Sequence, residues 1–338
     1  MKELALAAFA AETGSHVVEQ PRERRFERFR RSFDAARYLE SLAERGLRFV
    51  GRSALAYPQL LRELHDPPPG LFLRGAGGAE VLRQPAVAIV GARACSSYGA
   101  QVARLLGREL ASAGLVVLSG LARGVDGEAH RGALEAGGLT IAILGCGVDR
   151  DYPAAHAQLA QRICERGLVA SEYAPGVEPA PWRFPARNRI VAGLAAATVI
   201  VEARERSGAL ITADFALETG REVFAVPGEI TSSLSAGTNA LLRLGATPLT
   251  SSGDVLEALG VIRTDAAASP PDLSEAAIAV LTVLATEPAG ADELTRTTGM
   301  GAPGVARALA ELELAGAVAE ADGLYRGGEA AGPGSLTS

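Results

Sequence analysis

Thirteen residues in four short stretches have the types needed to hold an anion: Arg93, Ser96 and Ser97; Ser119 and Arg123; Arg183, Phe184, Arg187, Asn188 and Arg189; Ser207, Gly208 and Thr212. Arginine offers a permanent cation in a planar fork that matches phosphate. Hydroxyls and the asparagine amide add neutral donors, and glycine lets a ligand approach the backbone. The third stretch follows the only tryptophan of the chain, Trp182. An aromatic ring among arginines can stack a base, a contact of ~1–3 kcal/mol. The plainer reading is that Trp182 and Phe184 cap a sheet edge while Arg187 and Arg189 pair with Glu172 or Glu202. Both readings hold in part, with one of these two arginines buried and structural and the other facing a groove.

Hydrolysis is poorly supplied. Ser119, Asp126 and His130 include the types of a triad, but Asp126 and His130 lie one helical turn apart with nothing to bring Ser119 into reach. His130 reads as a helix-packing histidine and Asp126 as an acid favoured at a helix start. No H-E-x-x-H, paired-cysteine or Walker-lysine pattern occurs, so no catalytic residue, metal or cofactor is expected. The three cysteines, Cys95, Cys146 and Cys164, lack metal-ligand spacing and read as small packing residues in a reducing cytoplasm.

These stretches sit where apolar runs end. Ala86–Val90 is a β-branched run halted by Gly91, the pattern of a strand buried on both faces. Further strands are expected at 115–118, 140–144, 168–172, 198–202 and 223–226, each followed by a helical pattern. Strands alternating with helices predict a doubly wound, mostly parallel sheet, Rossmann-like in outline. In such a sheet all parallel strands end on one edge, and ligands bind there. The helix starting near Ser96 should favour an anion at its unpaired amides. It is not a dinucleotide fingerprint, because Gly91 and Gly99 do not give G-x-G-x-x-G.

The flanks differ in charge. The whole chain of 338 residues has net charge −6 and one lysine, Lys2, so it is not a generally basic nucleic-acid coat. Residues 1–75 carry 13 basic and 10 acidic side chains, whereas 263–338 carry 4 and 11, net −7. Residues 1 to about 55 read as helical, with Phe26, Phe29 and Phe33 at helical spacing. Among them lie many arginines, in Pro21 to Arg31; the reading preferred over a nucleic-acid surface is core phenylalanines with solvated arginines partly paired with Glu23 and Glu27. Pro67–Pro69 read as the stiff joint between an N-terminal module, bounded at 75, and the main domain, with a strand expected at 71–75. Residues 263–273 read as a linker, 274–328 as three helices and a two-stranded wing, and 329–338 as a disordered tail. Arg307 stands among Glu311 and Glu313, too acidic a setting for reading duplex DNA. No apolar run is long enough for a membrane span.

Together, Val90–Arg93, Ser119–Asp126 with Ala129-His130, Phe184–Arg189, Ser207–Ala213 and Gly220–Gly228 resemble the DNA-processing protein A family (DprA, also called Smf). The resemblance spans the whole region 76–262. It implies an extended Rossmann-like domain, an N-terminal helical domain related to SAM or helix-hairpin-helix modules over 1–75, and a winged-helix-like domain over 274–328. It also implies a bacterial cytoplasmic protein that binds single-stranded DNA, forms a homodimer and loads RecA during natural transformation without catalysis, with other competence or single-strand-binding proteins as further partners. Arg93 is then the phosphate-binding arginine, with the Arg123 loop, Phe184–Arg189 and Ser207–Thr212 as the other walls. Ala154 stands where many members carry a lysine. The competing reading is an enzyme like the nucleoside monophosphate phosphoribohydrolases, using Asp126, Glu202 or Glu218, although Pro227-Gly228-Glu229 is only a fragment of their loop. A purely structural adaptor would bind no oligonucleotide.

Overall fold

The structure, a computed structural model, describes residues 2–14, 24–261, 273–285, 288–314, 317–321 and 323–327. Two compact units divide the chain at Arg263 and Thr264. None of the described helices is long and apolar enough to cross a membrane.

The first unit is built on nine strands: β1 (Leu47–Gly51), β2 (Gly70–Arg74), β3 (Ala86–Val90), β4 (Val116–Ser119), β5 (Thr140–Ile143), β6 (Leu168–Ser171), β7 (Ala197–Ile200), β8 (Glu222–Ala225) and β9 (Thr247–Pro248). Their order is β1-β2-β6-β5-β4-β3-β7-β8-β9. From β6 to β9 all neighbours are parallel, whereas β1–β2 and β2–β6 are antiparallel. Every residue of β3 through β7 is buried, as β-branched runs covered on both faces require. The chain steps outward from β3 to β6 and then returns to place β7 beside β3. That reversal is a topological switch point, where a crevice opens outside the carboxyl ends of the strands.

Before and between the strands lie α1 (Lys2–Thr13), α2 (Arg24–Ser32), α3 (Ala35–Glu44), α4 (Gln59–Arg62), α5 (Ser97–Ser112), α6 (Val125–Glu135), α7 (Ala157–Arg166), α8 (Arg183–Leu194), α9 (Gly208–Glu218), α10 (Ala236–Arg243) and α11 (Ser252–Ala258). On α5 the fully buried Leu110 packs with Val87, Val117 and Val199 on one face of the sheet; such a side chain contributes ~1.5–3 kcal/mol. On the opposite face α8 and α9 pack with Val90, Leu118 and Ile200.

The N-terminal expectation needs correction. Residues 47–51 form β1 rather than helix, with Leu47 and Val50 buried, Arg48 exposed and the Phe49 ring against Phe72 at 4.9 Å. Because β1 pairs with β2 and β2 with β6, the joint expected at Pro67–Pro69 and the boundary at 75 fall between strands of one continuous sheet. The phenylalanine reading of α2 holds: Phe26 is buried, Phe29 stacks on Phe33 at 5.3 Å, and Arg30 pairs with Glu27 at 2.8 Å. Pro21, Arg22 and Glu23 lie outside the described residues.

The second unit holds α12 (Glu275–Leu284), α13 (Ala291–Thr298), α14 (Ala302–Leu314) and the antiparallel pair β10 (Val318–Ala321) and β11 (Leu324–Gly327). Val280, Leu284, Leu294, Val305, Leu309 and Leu312 form its core. This is the winged-helix arrangement of three helices and a hairpin. Glu311 pins α12 to α14 by accepting from the Ser274 N–H and hydroxyl, both at 2.7 Å. Residues 262–272 and 328–338, covering the expected linker but for Leu273 and the tail, lie outside the described residues.

Candidate nucleic-acid interface

A cavity of about 460 Å³ occupies the switch point, at the carboxyl ends of β3 and β4 and the start of α9. Two glycines allow its floor. Gly124 has φ +75°, and a Cβ there would lie 2.3 Å from the Ala92 carbonyl oxygen. The loops after β3 and β4 therefore press together, and Val125 N–H donates to that oxygen at 3.2 Å. A Cβ on Gly120 would lie 2.4 Å from a guanidinium nitrogen of Arg187.

Asp126, at the start of α6, shapes the second loop. Its Oδ2 accepts from Gly120 N–H at 3.1 Å and Ala122 N–H at 3.3 Å. Burial pushes its carboxyl up, against the pull of Arg187, the two amides and Arg93. His156 supports the same loop, its Nδ1–H donating at 3.0 Å to the carbonyl of Leu121, a residue with φ +59°.

Of the thirteen residues singled out above, Arg93, Phe184, Arg187, Asn188, Ser207, Gly208 and Thr212 line this cavity. Arg93 is exposed and its guanidinium lies 5.4 Å from the Phe184 ring centroid. It makes no ion pair among the described residues, so its charge is available to an anion. Phe184 stacks in turn on Tyr152 at 5.4 Å, with an angle of 28° between the rings. Asn188 joins two walls: its Oδ1 accepts from Arg187 Nε at 3.2 Å, and its Nδ2 donates to Gly208 O at 3.0 Å. The Ser207 Oγ caps α9 by accepting from Ala209 N–H at 3.3 Å, and exposed Gly208 opens the helix towards the cavity.

The remaining six have other roles or places. Ser96 does not hold a ligand: its hydroxyl donates to Glu202 Oε1 at 2.5 Å and accepts from Gly99 N–H at 3.0 Å. Its own N–H donates to Glu202 Oε2 at 2.9 Å. The anion expected at the start of α5 is thus a carboxylate of this chain. Ser97 is exposed beside it, outside the cavity lining. Ser119 is fully buried and donates to Ile89 O at 2.7 Å, tying β4 to β3. Arg123 is exposed at the loop tip without an ion pair among the described residues. Arg183 turns from the cavity, its guanidinium 4.7 Å from the Trp182 ring and 5.3 Å from that of Tyr173.

The two arginines of the Arg187-Asn188-Arg189 segment divide as expected, Arg189 structural and Arg187 facing the cavity, although both are buried. Arg189 is 2% exposed and paired with Glu172 at 2.7 Å and Asp66 at 2.9 Å. It cannot reach a ligand. Arg187 is 4% exposed, yet it forms part of the cavity wall and donates to the carbonyls of Gly120, at 2.9 Å, and Ile143. Burial pulls its guanidinium below the usual range. Its positive charge lies beneath the floor, while that of Arg93 lies at the opening. Sequence reasoning missed Tyr152 and Pro181 on the wall; Tyr152-Pro153, in a loop after an expected strand, was the available signal.

The hydrolytic candidates do not assemble. Glu202 is held by Ser96. Glu218 ends α9, ten residues beyond Gly208, about 15 Å along the helix at 1.5 Å per residue. His130 is fully buried, its Nδ1–H donating at 2.6 Å to the Thr140 hydroxyl, which itself donates to Val117 O at 2.7 Å. Asp126 alone of these reaches the cavity.

Comparison with known proteins places this geometry. The profile of the family described as DNA recombination-mediator protein A matches residues 48–260, and that of the DprA winged helix domain matches 264–323. The DNA processing protein DprA of Streptococcus pneumoniae is 47% identical over 200 residues, 59% of this chain and 70% of that one. The putative DNA processing protein DprA of Mycobacterium tuberculosis is 40% identical over 316 residues, 88% of this chain and 81% of its own. The X-ray structure of the Streptococcus pneumoniae protein superposes with a TM-score of 0.65 at 37% identity, over 76% of this chain and 92% of that one. DNA processing protein A of Helicobacter pylori, whose structure concerns its single-stranded DNA binding mode, gives 0.56 at 33% identity, over 62% and 95%.

Proposed function

This chain belongs to the DNA-processing protein A family of recombination mediators, and we propose that its switch-point cavity grips single-stranded DNA. The observation that carries this reading is Arg93, exposed, without an ion pair among the described residues and set over the Phe184 ring at the mouth of the cavity. A cation beside an aromatic face suits a strand whose phosphates are charged and whose bases are unstacked. A duplex offers no such bare base. Gly208 and the start of α9 bring the helix dipole to the same opening. The Helicobacter pylori relative, described by its single-stranded DNA binding, supports the same assignment.

The test is an anisotropy titration of labelled oligothymidine at several salt concentrations. Tight binding at low salt that weakens with a log–log slope of about −0.7 per phosphate contacted fits a groove of this kind. Absence of binding at low salt refutes it. Nucleotide hydrolysis is not favoured, because Asp126 has no second acid or base facing it among the described residues.

Two finer roles are part of the proposal. Homodimer formation draws support from the exposed Leu217, Ile230 and Leu244, and from a shallow hollow between α9 and α10 lined by Leu210, Ile211 and Leu241. Loading of RecA on the bound strand rests on family membership alone. Co-sedimentation of RecA with the complex on oligothymidine, absent without this protein, checks it.

A further inference from the structure

We propose that Trp182, braced by Arg183, is a second base-stacking station that carries the bound strand beyond the cavity onto the end of β6. This rests on the reading of the cavity as the single-strand site.

Along the carboxyl edge the sheet runs β7, β3, β4, β5, β6, with neighbours about 4.8 Å apart. Ser207 follows β7, Arg93 follows β3 and Gly120 follows β4, all on the cavity wall. Phe184 continues this row over the end of β5, where a Cβ on Gly145 would lie 2.9 Å from its ring. The next place in the row is the end of β6, taken by Tyr173 and its neighbours. Tyr173 is buried, and Trp182 packs edge-on against it, 6.3 Å between centroids at 84°.

The surface there is aromatic and cationic. Arg183 lies 4.7 Å from the Trp182 ring and 5.3 Å from the Tyr173 ring, and is anchored by donating to Glu178 O. Along this edge an arginine therefore lies over the Phe184 ring, as Arg93, and over the Trp182 ring, as Arg183. A tryptophan serving only to cap the sheet edge would be covered. Trp182 instead remains 43% exposed while held in a fixed orientation, which lowers the entropy lost when a base lies on it. Two peptide units separate it from Phe184, a Cα distance of at most about 7 Å.

Trp182 is the only tryptophan of the chain, so intrinsic emission reports this station alone. The full-length protein is titrated with end-labelled oligothymidine, following label anisotropy and tryptophan emission together. Emission is expected to be quenched along the same isotherm as the anisotropy. The Trp182→Ala variant should bind about 5- to 150-fold more weakly with an unchanged salt slope, and Trp182→Phe should recover most of the loss. Unquenched emission during binding, with Trp182→Ala binding as tightly as the parent, overturns the station. If binding then still depends on Arg93, the cavity reading survives and this inference alone fails. If binding is lost with neither residue, both fail.

Discussion

The Ser96 hydroxyl and the Glu202 carboxylate meet at 2.5 Å, and the Ser96 N–H closes on the other carboxylate oxygen at 2.9 Å. Glu202 thereby fills the start of α5 with an internal anion and fastens the loop after β3, which carries Arg93, to the segment after β7. Gly99 makes room for it, since a Cβ there would lie 2.4 Å from Glu202 Oε2.

A first prediction follows from that crowding. Alanine is a better helix residue than glycine by ~1 kcal/mol, yet Gly99→Ala should lower unfolding stability by ~1–3 kcal/mol through overpacking against the carboxylate. Urea denaturation checks the sign. A stabilised variant would show that Glu202 does not occupy the helix start.

Arg189 separates structure from binding. Removing it leaves Glu172, fully buried, without its cation, so Arg189→Ala should cost ~3–5 kcal/mol of stability. A DNA-contacting arginine would instead lose affinity at unchanged stability. Denaturation and oligothymidine binding, measured on the same preparation, decide between the two.

His130 gives a pH signature. Burial pulls its imidazole down to about 3, against an ordinary value of 6.5. The unfolded chain takes up a proton on this residue below about pH 6.5 that the folded chain refuses, so its contribution to stability is lost as pH falls from 6.5 towards 3. Between pH 7 and 5 the protein should lose ~2 kcal/mol more than a His130→Gln variant, at ~1.4 kcal/mol per pH unit below 6.5. Parallel pH dependence of the two denaturation midpoints would contradict a neutral, buried His130.

The legible parts of this fold are those set by local pattern. The strands from β3 to β8 are apolar runs stopped by glycine, proline or polar residues, and parallel crossovers leave few ways to arrange them. β1 was hidden because Leu47–Gly51 is short, lacks an alternating pattern and becomes a strand only by pairing with β2. The site was legible as a set of stretches but not residue by residue. Arginine and serine at a strand end serve a phosphate or an internal partner equally well, and the partners are remote in sequence: Asp66 lies 123 positions from Arg189, and Glu202 lies 106 from Ser96. Only the fold reveals that Ser96, Ser119 and Arg189 are already engaged while Arg93 makes no ion pair among the described residues.

The claim that most depends on this geometry is that Arg93 contacts the phosphate of a bound single strand. Oligothymidine affinity measured for the parent and Arg93→Ala across a salt series tests it directly. The account predicts binding about tenfold weaker, a log–log salt slope shallower by about 0.7 and stability within ~0.5 kcal/mol of the parent. The same affinity and the same slope in both proteins would contradict it.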